Sequence, residues 1–173
     1  SETGITLMRM DAGLDTGPIL TQRAIRLAAD ETGASLHDKL ALLGGELLID
    51  TLPGYLAGTI APQPQDDALA TLAPRIRKEE GQIDWTAPAH AIDRTVRAFT
   101  PWPGTFTRWE GKLLKIVSGT AAPDEATRAA PGTVLHQNGR LVIATGGGLY
   151  VPARLQLEGR AALSAADFIN GHP

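Results

Sequence analysis

The segment Met10-Asp11-Ala12-Gly13-Leu14-Asp15-Thr16-Gly17-Pro18 sets two carboxylates in a glycine-flanked loop between two strand-like runs. A carboxylate held on such a loop can orient or relay a proton during group transfer. Asp and Gly are also favoured in turns for conformational reasons alone, so Asp15 reads equally as a turn residue and as a chemical one. Gly13 and Gly17 are expected to supply backbone conformations that other residues reach only at a cost. The remaining chemistry-bearing residues are few. The chain has no cysteine, and its four histidines, His37, His90, His136 and His172, have no metal-ligand spacing. No disulfide framework, zinc ribbon or other metal site is expected. Gly146-Gly147-Gly148 lacks the lysine of a phosphate loop and reads as a hairpin.

The elements around the loop follow from pattern. Ile5-Thr6-Leu7-Met8 before it and Ile19-Leu20 leading to Ala24-Ile25 after it are strand-like. From Leu36, the positions Leu40, Leu43, Leu47, Leu52 and Leu56 recur near the helical period, with Thr32 or Ser35 as the cap. Pro53-Gly54 should kink or end this helix before Gly58. Two strands and one helix cannot enclose a core, so this segment is expected to be the closing portion of a larger α/β domain. Residues 61–73 contain Pro62-Gln63-Pro64-Gln65-Asp66-Asp67 and read as a linker or exposed crossing.

Beyond it, a helix from about Ala87 to Phe99 presents Ile92, Val96 and Phe99 on one face, and Pro101-Trp102-Pro103 must stop it. Five short β-rich runs follow: 105–109, 112–117, 133–136, 141–145 and 149–151. Their turns lie at Glu110-Gly111, Asn138-Gly139 and Gly146-Gly147-Gly148, and residues 121–130 read as a mobile loop. Ser164 should cap a closing helix, Ala165 to Ile169, with Asn170-Gly171 as its stop. Trp85 and Trp102 are expected to be packing anchors.

Charge divides the 173-residue chain. Residues 1–73 carry ten Asp or Glu against four Lys or Arg, whereas residues 74–173 carry nine against twelve, within a net charge of −3. The average argues against a general nucleic-acid binder, but the division suggests two modules with different partners. No window approaches the roughly 20 apolar residues of a membrane span, and Ser1-Glu2-Thr3-Gly4 lacks the features of a signal peptide. The expectation is a soluble, cytoplasmic protein without a membrane partner.

Taken in order, these pieces resemble the methionyl-tRNA formyltransferase family over almost the whole chain. The matching residues are Met10-Asp11-x-Gly13-Leu14-Asp15-Thr16-Gly17, Leu36-His37-Asp38-Lys39-Leu40, Lys78-Glu79-Glu80 with Ile83-Asp84-Trp85, and Arg97-Ala98-Phe99-x-Pro101-Trp102-Pro103. Pro131-Gly132-Thr133-Val134 and Ser164-Ala165-x-Asp167-Phe168 complete the set. The resemblance implies an α/β plus β fold: a truncated Rossmann-like formyltransferase segment (residues 1–60), a linker (61–85) and an OB-like β-barrel (86–173) that contacts the tRNA acceptor arm. It implies formyl transfer from 10-formyltetrahydrofolate to the amino group of methionyl-initiator tRNA, with Asp15 as the catalytic aspartate. Met10, Asp11, Ala12, Gly13 and Leu14 would form the folate-side loop, largely through backbone groups, with Asp11 more a turn former than a ligand.

RNA contacts are expected from Arg75, Arg77 and Lys78, and from Lys112, Lys115, Arg140, Arg154 and Arg160, although lone cations on strands commonly serve solubility. The family completes its site with an Asn and a His spaced Asn-x-His on an earlier strand. No such pair precedes Asp15 in these residues; the one Asn-x-His spacing, Asn170-Gly171-His172, comes after the expected closing helix and not on an earlier strand. The chain is therefore expected to be a fragment without activity of its own, prone to self-association through open strand edges, whereas the intact enzyme would be a monomer. Same-fold alternatives are an amino-sugar-nucleotide formyltransferase and a formyltetrahydrofolate hydrolase; a stand-alone RNA-binding module is a third. Leu14-Asp15-Thr16-Gly17 is also similar to an aspartic-protease loop, but Pro18 and the lack of a second copy argue against a shared-proton pair.

Overall fold

The computed structural model describes residues 1–171 apart from 124, 126 and 138, so His172 and the turn residue Asn138 lie outside the described residues. Backbone contacts divide the chain into two compact units, Ser1–Arg75 and Ile76–Pro173.

In the first unit, β1 (Glu2–Met8) and β2 (Ile19–Arg26) form an antiparallel pair, in register from Glu2 opposite Arg26 and slipping by one residue between Leu7 and Met8. Helix α1 (Gly33–Leu56) packs on both strands. Its start is written locally: Thr32 Oγ1 accepts from the Ser35 N–H at 3.1 Å, and Ser35 Oγ accepts from the Thr32 N–H at 3.0 Å, a reciprocal cap. Glu31, only 8% exposed, accepts from Lys39 Nζ at 2.7 Å, from Ser35 Oγ and from the Ala28 N–H at 3.3 Å. The Lys39 and Ser35 donors pull its carboxyl down to about 2, against the opposing effect of burial.

The helix ends at Leu56, before Gly58 as expected, where the Ala57 N–H reaches the Pro53 carbonyl at 2.9 Å. It differs from its expected form in that Leu52 and Leu56 leave the apolar stripe. Leu47 is buried, but a step of five residues to Leu52 rotates by roughly 140° around the axis, and Leu52 and Leu56 are 44% and 74% exposed.

The second unit is built on one six-stranded sheet: β3 (Thr105–Trp109), β4 (Lys112–Ala122), β5 (Val134–Gln137), β6 (Arg140–Ala144), β7 (Leu149–Leu157) and β8 (Leu163–Ser164). The strand order is β3-β4-β7-β6-β5, with β8 paired to β7, and every ladder is antiparallel. No ladder joins β5 to β3 among the described residues, so the hydrogen-bonded path is open rather than a closed barrel. Two strands are longer than the sequence pattern suggests. Pro152 masks the second half of β7, yet the β4–β7 register slips on both sides of Ser118, and such a bulge tolerates a residue without an N–H. Ala121 and Ala122, read as loop, extend β4 along the same ladder, while the loop positions 124 and 126 are outside the described residues.

Helix α2 (Ala89–Ala98) lays Ile92 and Val96 into a core with Leu114, Ile116, Tyr150 and Leu155. Helix α3 (Ala165–Gly171) adds Phe168, and Ser164 caps it by accepting from the Asp167 N–H at 3.0 Å. Trp85 is the expected anchor, 6.2 Å between ring centres from Tyr150 and donating from Nε1 to Thr107 Oγ1 at 3.1 Å. Trp102 is not: it is 62% exposed, because the turn between α2 and β3 carries it out of the core.

Candidate active-site loop and cationic face

The loop joining β1 to β2 is organised by its own residues. Asp11 Oδ1 accepts from the Gly13 N–H at 3.0 Å and from Thr16 Oγ1 at 2.7 Å, an Asx turn that uses the Asp11 carboxylate to hold the loop. The loop is closed at its base by the Arg9 N–H donating to the Pro18 carbonyl at 2.9 Å. The glycines are needed for space rather than for unusual dihedrals. A Cβ on Gly17 would lie 1.8 Å from the Arg9 carbonyl oxygen, and one on Gly13 would lie 2.0 Å from Thr16 Oγ1. The left-handed residue is Asp15 itself, at φ 55°, a conformation Asp tolerates better than most. Met10, Asp11, Ala12, Gly13, Leu14 and Asp15 are all exposed. The Asp15 carboxylate therefore stands in solvent at the tip of a loop whose hydrogen bonds are made by other groups.

A residue outside the motif supports that position. Gln65 Nε2 donates to the Asp15 carbonyl at 2.9 Å and to the Gly17 carbonyl at 2.7 Å, clamping both sides of Thr16. Two residues earlier, Gln63 exchanges backbone hydrogen bonds with Ile19, both at 2.7 Å. Sequence reasoning misses this clamp, since a glutamine in a Pro-x-Pro run gives no periodic signal.

The cations expected to meet RNA fall into different settings. Arg75, Arg77 and Lys78 are exposed, with Lys78 opening a short 3₁₀ turn, Lys78–Gly81. Arg140 is engaged by Glu125 at 3.0 Å and is the least available of the set. Lys112 and Arg160 line one cavity of the second unit and Lys78 and Lys115 another; both cavities include Leu157 and Glu158. Arg154 is exposed further along β7, in register with Ser164 of β8. Among the described residues these five make no ion pair within 4.0 Å.

Two family descriptions cover nearly all of this architecture: "Formyl transferase" matches residues 1–52, and "Formyl transferase, C-terminal domain" matches residues 75–173. The chain belongs to the formyltransferase family. Among its relatives, the methionyl-tRNA formyltransferase of Myxococcus xanthus is 49% identical over 173 residues, covering 99% of this chain and 54% of the relative. This formyltransferase chain thus spans about half the length of the curated relatives it matches. HypX from Aquifex aeolicus in complex with tetrahydrofolic acid superposes with a TM-score of 0.67 at 21% identity, over 97% of this chain and 30% of that one. An N-formyltransferase from Helicobacter canadensis, in complex with folinic acid and dTDP-3-aminofucose, superposes at 0.66 with 18% identity, over 87% of this chain and 55% of that one. At those identities the likeness is one of fold. Among the described residues no group of three or more His, Asp or Glu could hold a metal ion, and no helix is long and apolar enough to cross a membrane.

Proposed function

We propose that this chain is part of an enzyme that transfers the formyl group of 10-formyltetrahydrofolate to the amino group of methionine esterified to initiator tRNA. The observation that carries this reading is the 49% identity, over 99% of the chain, to a methionyl-tRNA formyltransferase, spanning both the Asp15 loop and the cationic second unit. In the reaction the amine nitrogen attacks the formyl carbon and the carbon's bond to folate N10 breaks. Tetrahydrofolate leaves, and the proton lost by the amine ends on N10. Developing negative charge on the formyl oxygen needs donors, and the moving proton needs a base. Asp15, exposed on a clamped loop, suits the role of orienting and charging an imidazole; the Asn-x-His partners are to come from a segment not among these residues. The loop Met10–Leu14 faces the folate, and its short Asx-turned backbone supports contact through main-chain groups rather than side chains.

In this reading residues 1–60 are the closing portion of the catalytic domain and residues 61–85 the linker. Residues 86–173 are an OB-like module contacting the acceptor arm; an OB-like fold is itself only partly closed, which is compatible with an open β5 to β3 edge. The setting is the cytoplasm, where translation begins. The test is formylation of methionyl-initiator tRNA by a polypeptide of full family length carrying this chain. Asp15→Asn should lower kcat by about 10²- to 10⁴-fold, the range of a positioned acid–base group. The 173-residue chain alone should give no turnover. Formylation by the isolated chain, or an Asp15→Asn enzyme of unchanged rate, would sink the assignment.

A further inference from the structure

The cavity holding Lys78 and Lys115 has a composition that a general cationic surface does not need. It measures 300 Å³, and Phe106 and Gln156 line it together with the two lysines, Pro103 and Glu158. All of it belongs to the second unit. Phe106 and Lys115 are directly opposed across the β3–β4 ladder, and Lys115 and Gln156 across the β4–β7 ladder, so three adjacent strands put these side chains on one face. That is the outer face: Leu114, Ile116 and Leu155 alternate with them and are buried, whereas Phe106 and Gln156 are half-buried and Lys115 is exposed. Among the described residues neither lysine has a carboxylate within 4.0 Å. Glu158 is occupied by the Leu113 N–H at 3.3 Å, and two cations outnumber this one acid. Gln156 donates from Nε2 to the Arg160 carbonyl at 2.9 Å, which fixes its amide, and its Oε1 accepts no hydrogen bond among the described residues.

A half-buried aromatic ring, two unpaired ammonium groups and one fixed amide acceptor match the parts of a single nucleotide: a base to stack, a phosphate to neutralise and an exocyclic amine to accept from. We propose that this cavity is a subsite for one unstacked nucleotide of the RNA partner, with Phe106 as the stacking surface, Lys78 and Lys115 on its phosphates, and Gln156 Oε1 accepting from the base. The subsite deepens the tRNA reading and rests on it for the identity of the RNA. Phe106 and Gln156 do not stand out in the sequence as RNA contacts, because a lone Phe in a strand ordinarily reads as core and a lone Gln carries no charge.

The experiment titrates the 173-residue chain with three labelled probes: initiator tRNA, a tetra-adenylate oligonucleotide and inorganic polyphosphate, at several salt concentrations. Phe106→Leu should weaken tRNA and tetra-adenylate binding by about 5- to 150-fold, the range of one stacked base, and leave polyphosphate unchanged. Phe106→Tyr should restore RNA binding. Lys115→Gln should weaken all three probes and lower the salt slope for tRNA by about one. Arg94→Gln, exposed on α2 and outside the cavity, should change none. If the chain binds tRNA and Phe106→Leu binds it equally well, the subsite is wrong while the tRNA reading stands. If tetra-adenylate binds through Phe106 but tRNA does not bind, the subsite stands and the tRNA reading falls. Absence of binding to either RNA at low salt overturns the subsite. Should Phe106→Leu melt early, the double variant Lys78→Gln/Lys115→Gln decides, and an unchanged salt slope overturns the proposal.

Discussion

The two units of this chain solve opposite problems. The second buries a complete interior: Tyr150, Leu149, Val142 and Ala144 are fully inaccessible, and Ile116 and Leu155 nearly so. The first buries Leu47 as its one large apolar side chain among the described residues, while Leu42, Ile49 and Leu56 on α1 are 73%, 75% and 74% exposed. Its order comes instead from local hydrogen bonds: the Thr32–Ser35 cap, the Glu31–Lys39 pair, the Asp11 turn and the Gln65 clamp. The contrast separates fold from chemistry. A sheet stabilised by burial can carry a binding face on its outer side without depending on it, whereas the loop that presents Asp15 is held by a few polar contacts that other parts of a site can readjust.

If that contrast is real, core truncation should be felt most in the second unit. Leu155→Ala, at a site 1% exposed, is expected to cost about 2–5 kcal/mol in urea unfolding monitored by Trp85, whose ring packs against the same core. A loss below about 1 kcal/mol would mean that the second unit is not the stable one. In the first unit the most damaging local change should be to the cap: Thr32→Ala should cost about 1 kcal/mol, read by hydrogen exchange of the α1 amides.

The Glu31 network gives a pH signature confined to the first unit. Its carboxyl titrates lower in the folded state than in the unfolded chain, so its contribution is complete above about pH 4.5 and is lost as pH falls toward about 2. Glu31→Gln should therefore speed exchange of the α1 amides at pH 6 and converge with the parent near pH 2. A difference that persists unchanged at the acid end would break the assignment. The smallest effect belongs to the exposed stripe. Ile49→Gln should stay within about 0.5 kcal/mol in the isolated chain, and a larger loss would indicate that α1 is already covered in solution.

Much of this architecture is legible in the residues alone. The Thr32 and Ser164 caps, both strands beside the loop, the α2 face of Ile92 and Val96, and the Glu110-Gly111 turn are local signals, each complete within a few residues. Sequence and fold part company where a distant partner or an accumulated rotation changes the meaning of a local signal. The run read as ending at Val151 continues through Pro152 because the β4–β7 bulge receives it. Trp102 reads as core by its size, yet it stands exposed beside Pro101 and Pro103. Leu52 and Leu56 read as stripe by their number, but the rotation after Leu47 turns them away from the strands.

Motif order and short-range patterning are enough to establish the family, the element types and the candidacy of Asp15, because such signals survive without knowledge of what packs where. How the loop is held and which cations are available are settled only by the fold in space. Gln65 reaches across 50 residues to the Asp15 carbonyl, Glu125 takes up Arg140, and Phe106, Lys115 and Gln156 meet on one face through strand register. Hydrogen bonds and ion pairs depend on distance in space, which one-dimensional spacing carries only within an element.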